Sequence, residues 1–450
     1  MEQEFRKEFD RTKPKIGGVI AIMVLLSIFL NMSNSWLRSK PLLGLAGVIN
    51  AGMAVSSAFG LMAASGVEFT YWNTTIPFLV LVTEIDDAFV LIACWRITDP
   101  KDSVEKRMEV TYGEAGVSIT LTSLTNFISY CIGMMAPFPF IRIFSYYTAT
   151  CVFLNFVYQI TFFGGCLAMS GYREEKNLHF SKVVRCEPDD EDNQNNNAEE
   201  EEFTMASFRD SLGKIISNPV VKISIILIYI INLSFGIWGT FHMEHEGYRI
   251  AQKYFRSYSY PFHIIVNETL DYSDINVQKS IESLLTKFEK HPNIAERDTL
   301  RDLLKIADES EIPVLVHCIF SGLIEQGIII GQMIQQLFWI TAVLITAIFL
   351  LFAPNLLVAM TVALSVVSTM VETLGYMSFW GVNLDIISTM SLILCVGFSV
   401  NYPAHISYAY VMSRCETPNE KLQDSLYRIG FPILQGSLTT GIGILILYSD

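Results

Sequence analysis

Long apolar stretches alternate with short polar stretches along most of the chain. A bilayer core is about 30 Å thick, so a helix that crosses it needs roughly 20 mostly apolar residues. Ten windows approach or meet this length: 16–33, 42–65, 76–95, 116–135, 144–169, 220–240, 336–352, 356–380, 386–411 and 430–448. The pattern predicts an all-α polytopic membrane protein. The alternative is a large soluble protein with buried helices, which ten such windows disfavour.

Polar segments divide the predicted spans into groups. Residues 1–169 hold about five spans and form a first transmembrane repeat. Residues 170–219 are a predicted cytoplasmic linker, and it should be largely disordered because nine acids crowd into 187–202 and leave little to bury. Span 220–240 opens a second repeat. A soluble segment at 241–335 precedes the rest of that repeat, at 336–450.

The soluble segment has mixed periodicity. Apolar runs at 261–266 and 312–316 predict two strands, and the spacing of apolar residues across 274–291 predicts an amphipathic helix between them. Together these elements predict a small, shortened α+β domain on the extracellular side.

Lysine and arginine favour cytoplasmic loops, and this bias predicts the topology. The loops 96–115, 170–219 and 412–429 are rich in these residues, whereas 66–75, 136–143 and 381–385 carry only Arg142. Residues 241–335 are therefore predicted to be extracellular or lumenal. Asn73 and Asn267 open glycosylation sequons on that predicted outer side.

The two halves repeat with an offset of 314 residues. Asp87 maps to Asn401, Gly116 maps to Gly430, and the Ser-Leu-Thr sequence at 123–125 recurs at 437–439. An even number of spans separates matched pairs, so both copies have the same orientation. This predicts two parallel repeats related by an axis along the membrane normal, as in several transporter folds.

The third predicted span carries three acids, Glu84, Asp86 and Asp87. Ionisable side chains inside a membrane are expensive and usually functional. Three such acids cannot all stay charged without a counter-ion, so we expect coupled titration with at least one proton retained. The repeat places Asn401 opposite Asp87, with His405 one turn further on. These five side chains are a candidate proton or cation relay, and the alternative is a polar cluster that only joins helices.

Other chemistry has no support in the sequence. The net charge is −14 and no basic patch predicts nucleic-acid binding. No phosphate-binding glycine loop, GxSxG turn or HExxH motif is present. We therefore expect neither an enzyme nor an ATP-driven pump, and no cofactor or metal.

The motifs of both repeats resemble the Patched-related family. Residues 82–90 (VTEIDDAFV) resemble the GxDD motif of the sterol-sensing domain in Patched-type proteins, and residues 397–408 (GFSVNYPAHISY) resemble the matching motif of the second half in the nematode-type group. Residues 435–440 (QGSLTT) resemble the start of that family's penultimate span. The resemblance implies a resistance–nodulation–division (RND) transporter fold with twelve spans, and members that move sterols or other lipids on a proton or sodium gradient.

Several positions depart from the family pattern. Glu84 stands where the family has glycine, and Asn401 stands where it has an acid. Counterparts of the family's first span, first extracellular domain and last span are not found, so we expect a fragment or partial gene model.

Two functions remain open at this point. The first is a lipid or sterol transporter driven by a proton or cation gradient, in the plasma membrane or an endomembrane. The second is a sterol-sensing or receptor-like regulatory protein that does not transport. The neutral Asn401 favours the second, whereas Glu84 adds an acid that favours the first.

Overall fold

The computed structural model describes residues 17–32, 40–176, 211–243, 262–266, 269–289, 305–307, 309–310, 314–318, 321–382 and 384–448. The acidic linker 187–202 and Asn267 lie outside these residues. Each of the ten predicted spans corresponds to a helix. Their bounds are α1 Gly17–Leu30, α2 Pro41–Ala64, α3 Ile76–Ile97, α4 Val104–Met134, α5 Pro139–Glu175, α6 Pro219–Phe241, α8 Ser321–Phe352, α9 Leu356–Phe379, α10 Ile386–Met412 and α12 Phe431–Tyr448.

Seven of the described helices are long and apolar enough to cross a membrane: α2, α4, α5, α6, part of α8, α9 and α10. The protein is therefore a multi-pass membrane protein. The remaining three are α1, which is shorter, α3, which carries the acid cluster, and α12.

The 314-residue repeat extends to the helix boundaries. α4 begins after Ser103, whose side chain accepts a hydrogen bond from the backbone N–H of Lys106. Thr417 caps the short helix α11, Pro418–Ser425, in the same way, accepting from the N–H of Glu420. Both pairs are 314 residues apart, and both caps satisfy an amide that the helix start leaves without a partner. A π-helical turn at Leu426–Gly430 then joins α11 to α12.

The structure corrects two predicted boundaries. The span predicted at 336 belongs to α8, which begins at Ser321, so the last residues of the predicted soluble segment 241–335 are helical. The cap at Ser103 corrects the other boundary. Hydropathy placed the start of the fourth span at 116, but α4 begins twelve residues earlier, at Val104. Its first three turns carry charged residues, so they extend the helix beyond its apolar part. Hydropathy marks the apolar part of a helix rather than its end.

The soluble segment contains the predicted elements with small shifts. Strand β1, Phe262–Val266, pairs antiparallel with β2, Val314–Cys318. Helix α7, Ile275–Glu289, lies between them in the chain. An independent α+β domain stays a prediction.

The chain divides into two compact units. One comprises Met1–Asn232, Trp339–Met370 and Ile393–Asp450, and the other comprises Leu233–Phe338 and Val371–Leu392. In the second unit, α6 crosses α9 at very short range, because a Cβ atom on Gly236, Gly239 or Gly375 would collide with the facing backbone. Small residues at such crossings let membrane helices approach closely.

A buried ion-pair cluster joins four helices of the first unit near the predicted cytoplasmic side. The carboxylate of Glu174 lies 2.9 Å from Lys40 Nζ and 3.0 Å from an Arg107 guanidinium nitrogen. Trp95 donates its indole N–H to the same carboxylate, and both cations lie over the Trp95 ring. Burial lowers the pKa of Lys40 to about 8.

Candidate functional site

The three acids of α3 lie inside the first unit. Glu84, Asp86 and Asp87 are 3%, 5% and 5% exposed. Helices α2, α4, α5 and α12 surround α3, and nearly all of its other side chains are buried apolar groups. A helix that is apolar on all sides is usually buried on all sides. The three acids of α3 therefore contact other side chains rather than bulk solvent.

Asp87 faces the second repeat. Its carboxylate lies 3.6 Å from Nε2 of His405 on α10, and the hydroxyl of Thr122 on α4 donates to it at 3.5 Å. The other ring nitrogen of His405, Nδ1, lies 2.6 Å from the hydroxyl of Ser118. His405 therefore lies between Asp87 and Ser118, hydrogen-bonded to Ser118 and just beyond hydrogen-bond distance of Asp87, and all of these side chains are buried.

Asn401 reaches α3 one turn away from Asp87. Its amide lies 3.5 Å from the backbone carbonyl of Thr83, and its side-chain oxygen accepts from Asn126 of α4 at 3.3 Å. Two residues later, Pro403 lies inside α10 and cannot donate the usual backbone hydrogen bond. α10 thus carries a broken hydrogen-bond ladder beside the acids, as membrane helices often do near cavities.

Asp86 points to a different helix. Its carboxylate contacts Gly436 of α12 so closely that any side chain at position 436 would displace it. The hydroxyl of Tyr402 also faces this carboxylate, and Tyr402 in turn interacts with Ser437 and Thr440. Asp86 and Asp87 therefore contact the second repeat through different partners.

Glu84 is held by amides of the first repeat. Asn155 of α5 donates to its carboxylate at 2.8 Å. Asn50 of α2 then donates to the side-chain oxygens of Asn155 at 2.8 Å and of Gln159 at 3.0 Å. Gln159 opens a π-helical turn within α5, Gln159–Phe163. Glu84 is therefore connected through Asn155 to Asn50 of α2, so side chains of three helices of the first repeat meet at this acid.

The five residues that the sequence predicted as a relay lie in one region of the first unit. Sequence reasoning missed Ser118, Thr122, Asn126 and Asn155. A polar residue every fourth position on α4 was a signal that could have found the first three. Asn155 had no comparable signal, because only the fold brings α5 against Glu84.

Of the two predicted glycosylation sites, the structure describes only Asn73. Asn73 is 0% exposed, which argues against an attached glycan in the folded chain. Asn267 lies outside the described residues.

The arrangement can exchange a proton or a small cation. It combines three carboxylates, a histidine with both ring nitrogens near polar partners, and several neutral oxygens, all away from solvent. Imidazole titrates near neutral pH, and carboxylates close together share protons.

Comparison with known families agrees with the motifs. Residues 18–169 match the family model described as Patched SSD. The chain is 22% identical to Patched-related protein 9 of Caenorhabditis elegans over 99% of its length, and it spans 62% of that relative. It is 28% identical to a Niemann-Pick type C1-related protein of Plasmodium falciparum over 39% of its length and 12% of that protein. It is 31% identical to mouse Protein patched homolog 2 over 31% of its length and 12% of that protein.

Solved structures show a shared fold. The chain matches SecDF, a translocon-associated membrane protein of Thermus thermophilus, with a TM-score of 0.58 and 13% identity over 96% of its length and 57% of that chain. It matches Disp, the hedgehog release protein of the water bear Hypsibius dujardini, with a TM-score of 0.60 and 11% identity over 96% of its length and 66% of that chain. The chain therefore shares the fold of these two membrane proteins.

Proposed function

We propose that the chain is a Patched-related membrane protein, because residues 18–169 match the Patched SSD family model and the whole chain aligns with Patched-related protein 9. We further propose that it binds a sterol or another lipid and moves it on a proton or cation gradient. The family and the fold support a lipid ligand and a membrane setting. The coupling to an ion is our inference from the acid cluster.

The observation that carries the proposal is the contact between Asp87 and His405. The two side chains come from different repeats, lie 3.6 Å apart and are almost completely buried. A charge at the middle of a bilayer costs at least about 2.5–3.5 kcal/mol on insertion scales. The cluster therefore favours taking up a proton or cation during part of a working cycle.

We assign the central role to Asp87. It is the acid that faces His405, whereas Asp86 faces α12 and Glu84 faces the amides of α5. Asp86 and Glu84 share the titration because all three acids lie within one turn of α3. Asn401 has no charge to exchange, so the titrating carboxylates of this site lie on α3, and His405 assists from α10.

Ion binding can then act on the packing of the repeats. Loading the site changes its charge by one unit and changes the attraction between Asp87 and His405. A coupled transporter needs two conformations that bind the ion with different affinity. Different packing of α3 against α10 in the two charge states meets that requirement.

A second function has one specific observation in its favour. Asn401 replaces the family's acid and is engaged by Asn126 and Thr83, so its side chain serves a neutral contact between helices. A receptor-like protein that binds sterol without moving it fits this feature.

Reconstitution separates the two functions. The purified chain is placed in phosphatidylcholine vesicles that contain fluorescent cholesterol, and cholesterol movement is followed with and without an imposed proton or sodium gradient. Movement that depends on the gradient supports transport. Cholesterol binding with the same movement in both conditions contradicts it and favours the receptor-like function.

A further inference from the structure

One face of α4 is polar over four successive turns. Glu114, Ser118, Thr122 and Asn126 are spaced four residues apart, so their side chains lie on one face of the helix. The last three meet the acid cluster: Ser118 contacts His405, Thr122 contacts Asp87 and Asn126 contacts Asn401. Glu114 extends the face one turn beyond the cluster.

That extra turn opens into a cavity of about 410 Å³. Its lining includes Cys94, Glu114, Tyr408 and Arg428. Cys94 lies two turns beyond Asp87 on α3, and Tyr408 lies one turn beyond His405 on α10. The cavity therefore begins one to two turns from the acids, on the side that the loop charges predict to be cytoplasmic.

An ion pair between the repeats stands at this cavity. Glu114 and Arg428 occupy matched positions, 314 residues apart, and their side chains lie 2.7 Å from each other. Arg428 also contacts Asp424 at 3.1 Å and lies in the π-helical turn before α12. Both members of the pair are about one-third exposed, at 37% for Glu114 and 35% for Arg428. Solvent therefore reaches this end of the polar face.

From these contacts we propose that protons pass between Asp87 and the cytoplasm along this face of α4, through His405 and Ser118, and that Glu114 receives them at the cavity. The inference rests on the proposed function. It commits to a proton because imidazole and hydroxyl groups in series pass protons, whereas neither ring nitrogen suits a hard cation such as sodium.

The step balances without any further reactant. Protonated Asp87 gives its proton to Nε2 of His405, while the Nδ1 proton of the same ring passes to the Ser118 oxygen. Ser118, which is buried one turn from the cavity-lining Glu114, releases its own hydroxyl proton towards the cavity, and the carboxylate of Glu114 accepts that proton. Asp87 ends as a carboxylate, Ser118 ends unchanged, and the ring ends with its proton on the other nitrogen.

The test compares two serines of the same helix. Ser118→Ala removes the hydroxyl beside His405, and Ser129→Ala is its matched control, since Ser129 is also buried and donates to the carbonyl of Thr125. Proton entry into vesicles is measured with an internal pH dye under an imposed gradient. We expect Ser118→Ala to slow entry at least about tenfold, because a positioned proton-transfer group commonly contributes about 10²–10⁴ in rate. Ser129→Ala should match the parent.

Further variants separate the possible failures. If Asp87→Asn abolishes proton entry while Ser118→Ala and Glu114→Gln behave as the parent, the proposed route is wrong and the proposed function stands. If Asp87→Asn itself has no effect, both are wrong.

Thiol labelling gives an answer even if Ser118→Ala folds poorly. In a background in which all eight native cysteines are replaced by serine, we expect a water-soluble thiol reagent to modify Glu114→Cys in the cavity from the cytoplasmic side and to leave the buried Ser129→Cys unmodified. Equal modification of both cysteines, or of neither, would overturn the route.

Discussion

At the scale of single residues, the site depends on which side chains titrate and which only position them. Asp87 and His405 face each other across the repeats, whereas Asn401 makes neutral contacts with Asn126 and Thr83. The carboxyl groups of the site therefore lie on the first repeat, and its histidine lies on the second. This asymmetry is a property of the present chain, because the 314-residue repeat would allow an acid in either half.

Asn401→Asp tests this asymmetry. We expect the variant to keep or raise gradient-dependent cholesterol movement, since it restores the acid that the family pattern has at this position. The rate in vesicles is the measurement. A loss of movement with unchanged cholesterol binding would mean that the neutral contact with Asn126 is required, and the assignment of Asn401 would need revision.

Glu174 gives a second prediction at this scale. Its carboxylate forms an ion pair with both Lys40 and Arg107. Glu174→Gln therefore removes the negative charge that these two buried cations contact. Breaking a buried ion pair from one side costs roughly 3–5 kcal/mol. We expect a marked fall in the thermal unfolding midpoint in detergent. Glu175→Gln, at an exposed position, is the control and should change little; an equal fall in both variants would contradict the role of the cluster.

At the scale of elements, much of the fold was predictable, and the exceptions have physical reasons. The spans and the repeat followed from apolar length and from the offset, since a bilayer fixes the length of a helix that crosses it. The early start of α4 was not predicted, because capping at Ser103 decides it rather than hydropathy. Ser118 and Thr122 were missed because hydroxyls in membrane helices commonly bond their own helix, and Thr122 does so as well.

The crossing of α6 and α9 makes a prediction about an element pair. Gly375→Ala forces a Cβ atom into the backbone of Gly236, so the helices must separate. Overpacking of this kind typically costs about 1–3 kcal/mol. We expect a lower unfolding midpoint than the parent. Gly52→Ala places its Cβ in open space on α2 and is the control; a Gly375→Ala midpoint equal to that of Gly52→Ala would show that the close approach is unimportant.

At the scale of the whole molecule, the topology joins the site to its surroundings. The cavity beside Glu114 leads to the cytoplasm only if the loop at 96–103 lies on that side. Loop charges predict this orientation. Two exposed loop residues can test it: Lys101 follows α3, and Glu68 precedes it.

In a background whose eight native cysteines are replaced by serine, single cysteines at these two positions should label from opposite sides. In intact cells, an impermeant thiol reagent should reach Glu68→Cys from outside and should reach Lys101→Cys only after permeabilisation. The reverse pattern would invert the topology, and the cavity would then open to the extracellular or lumenal side.

The measurement that tests the central claim most directly is gradient-driven cholesterol movement by Asp87→Asn in vesicles. The substitution keeps the size of the side chain and removes its charge and its proton. We predict that movement loses its dependence on the gradient while expression and cholesterol binding stay near those of the parent. Asp102→Asn makes the same chemical change at a surface ion pair with Lys106 and should transport normally. If Asp87→Asn moves cholesterol as well as Asp102→Asn under the same gradient, the acids are structural and the coupling proposal is wrong.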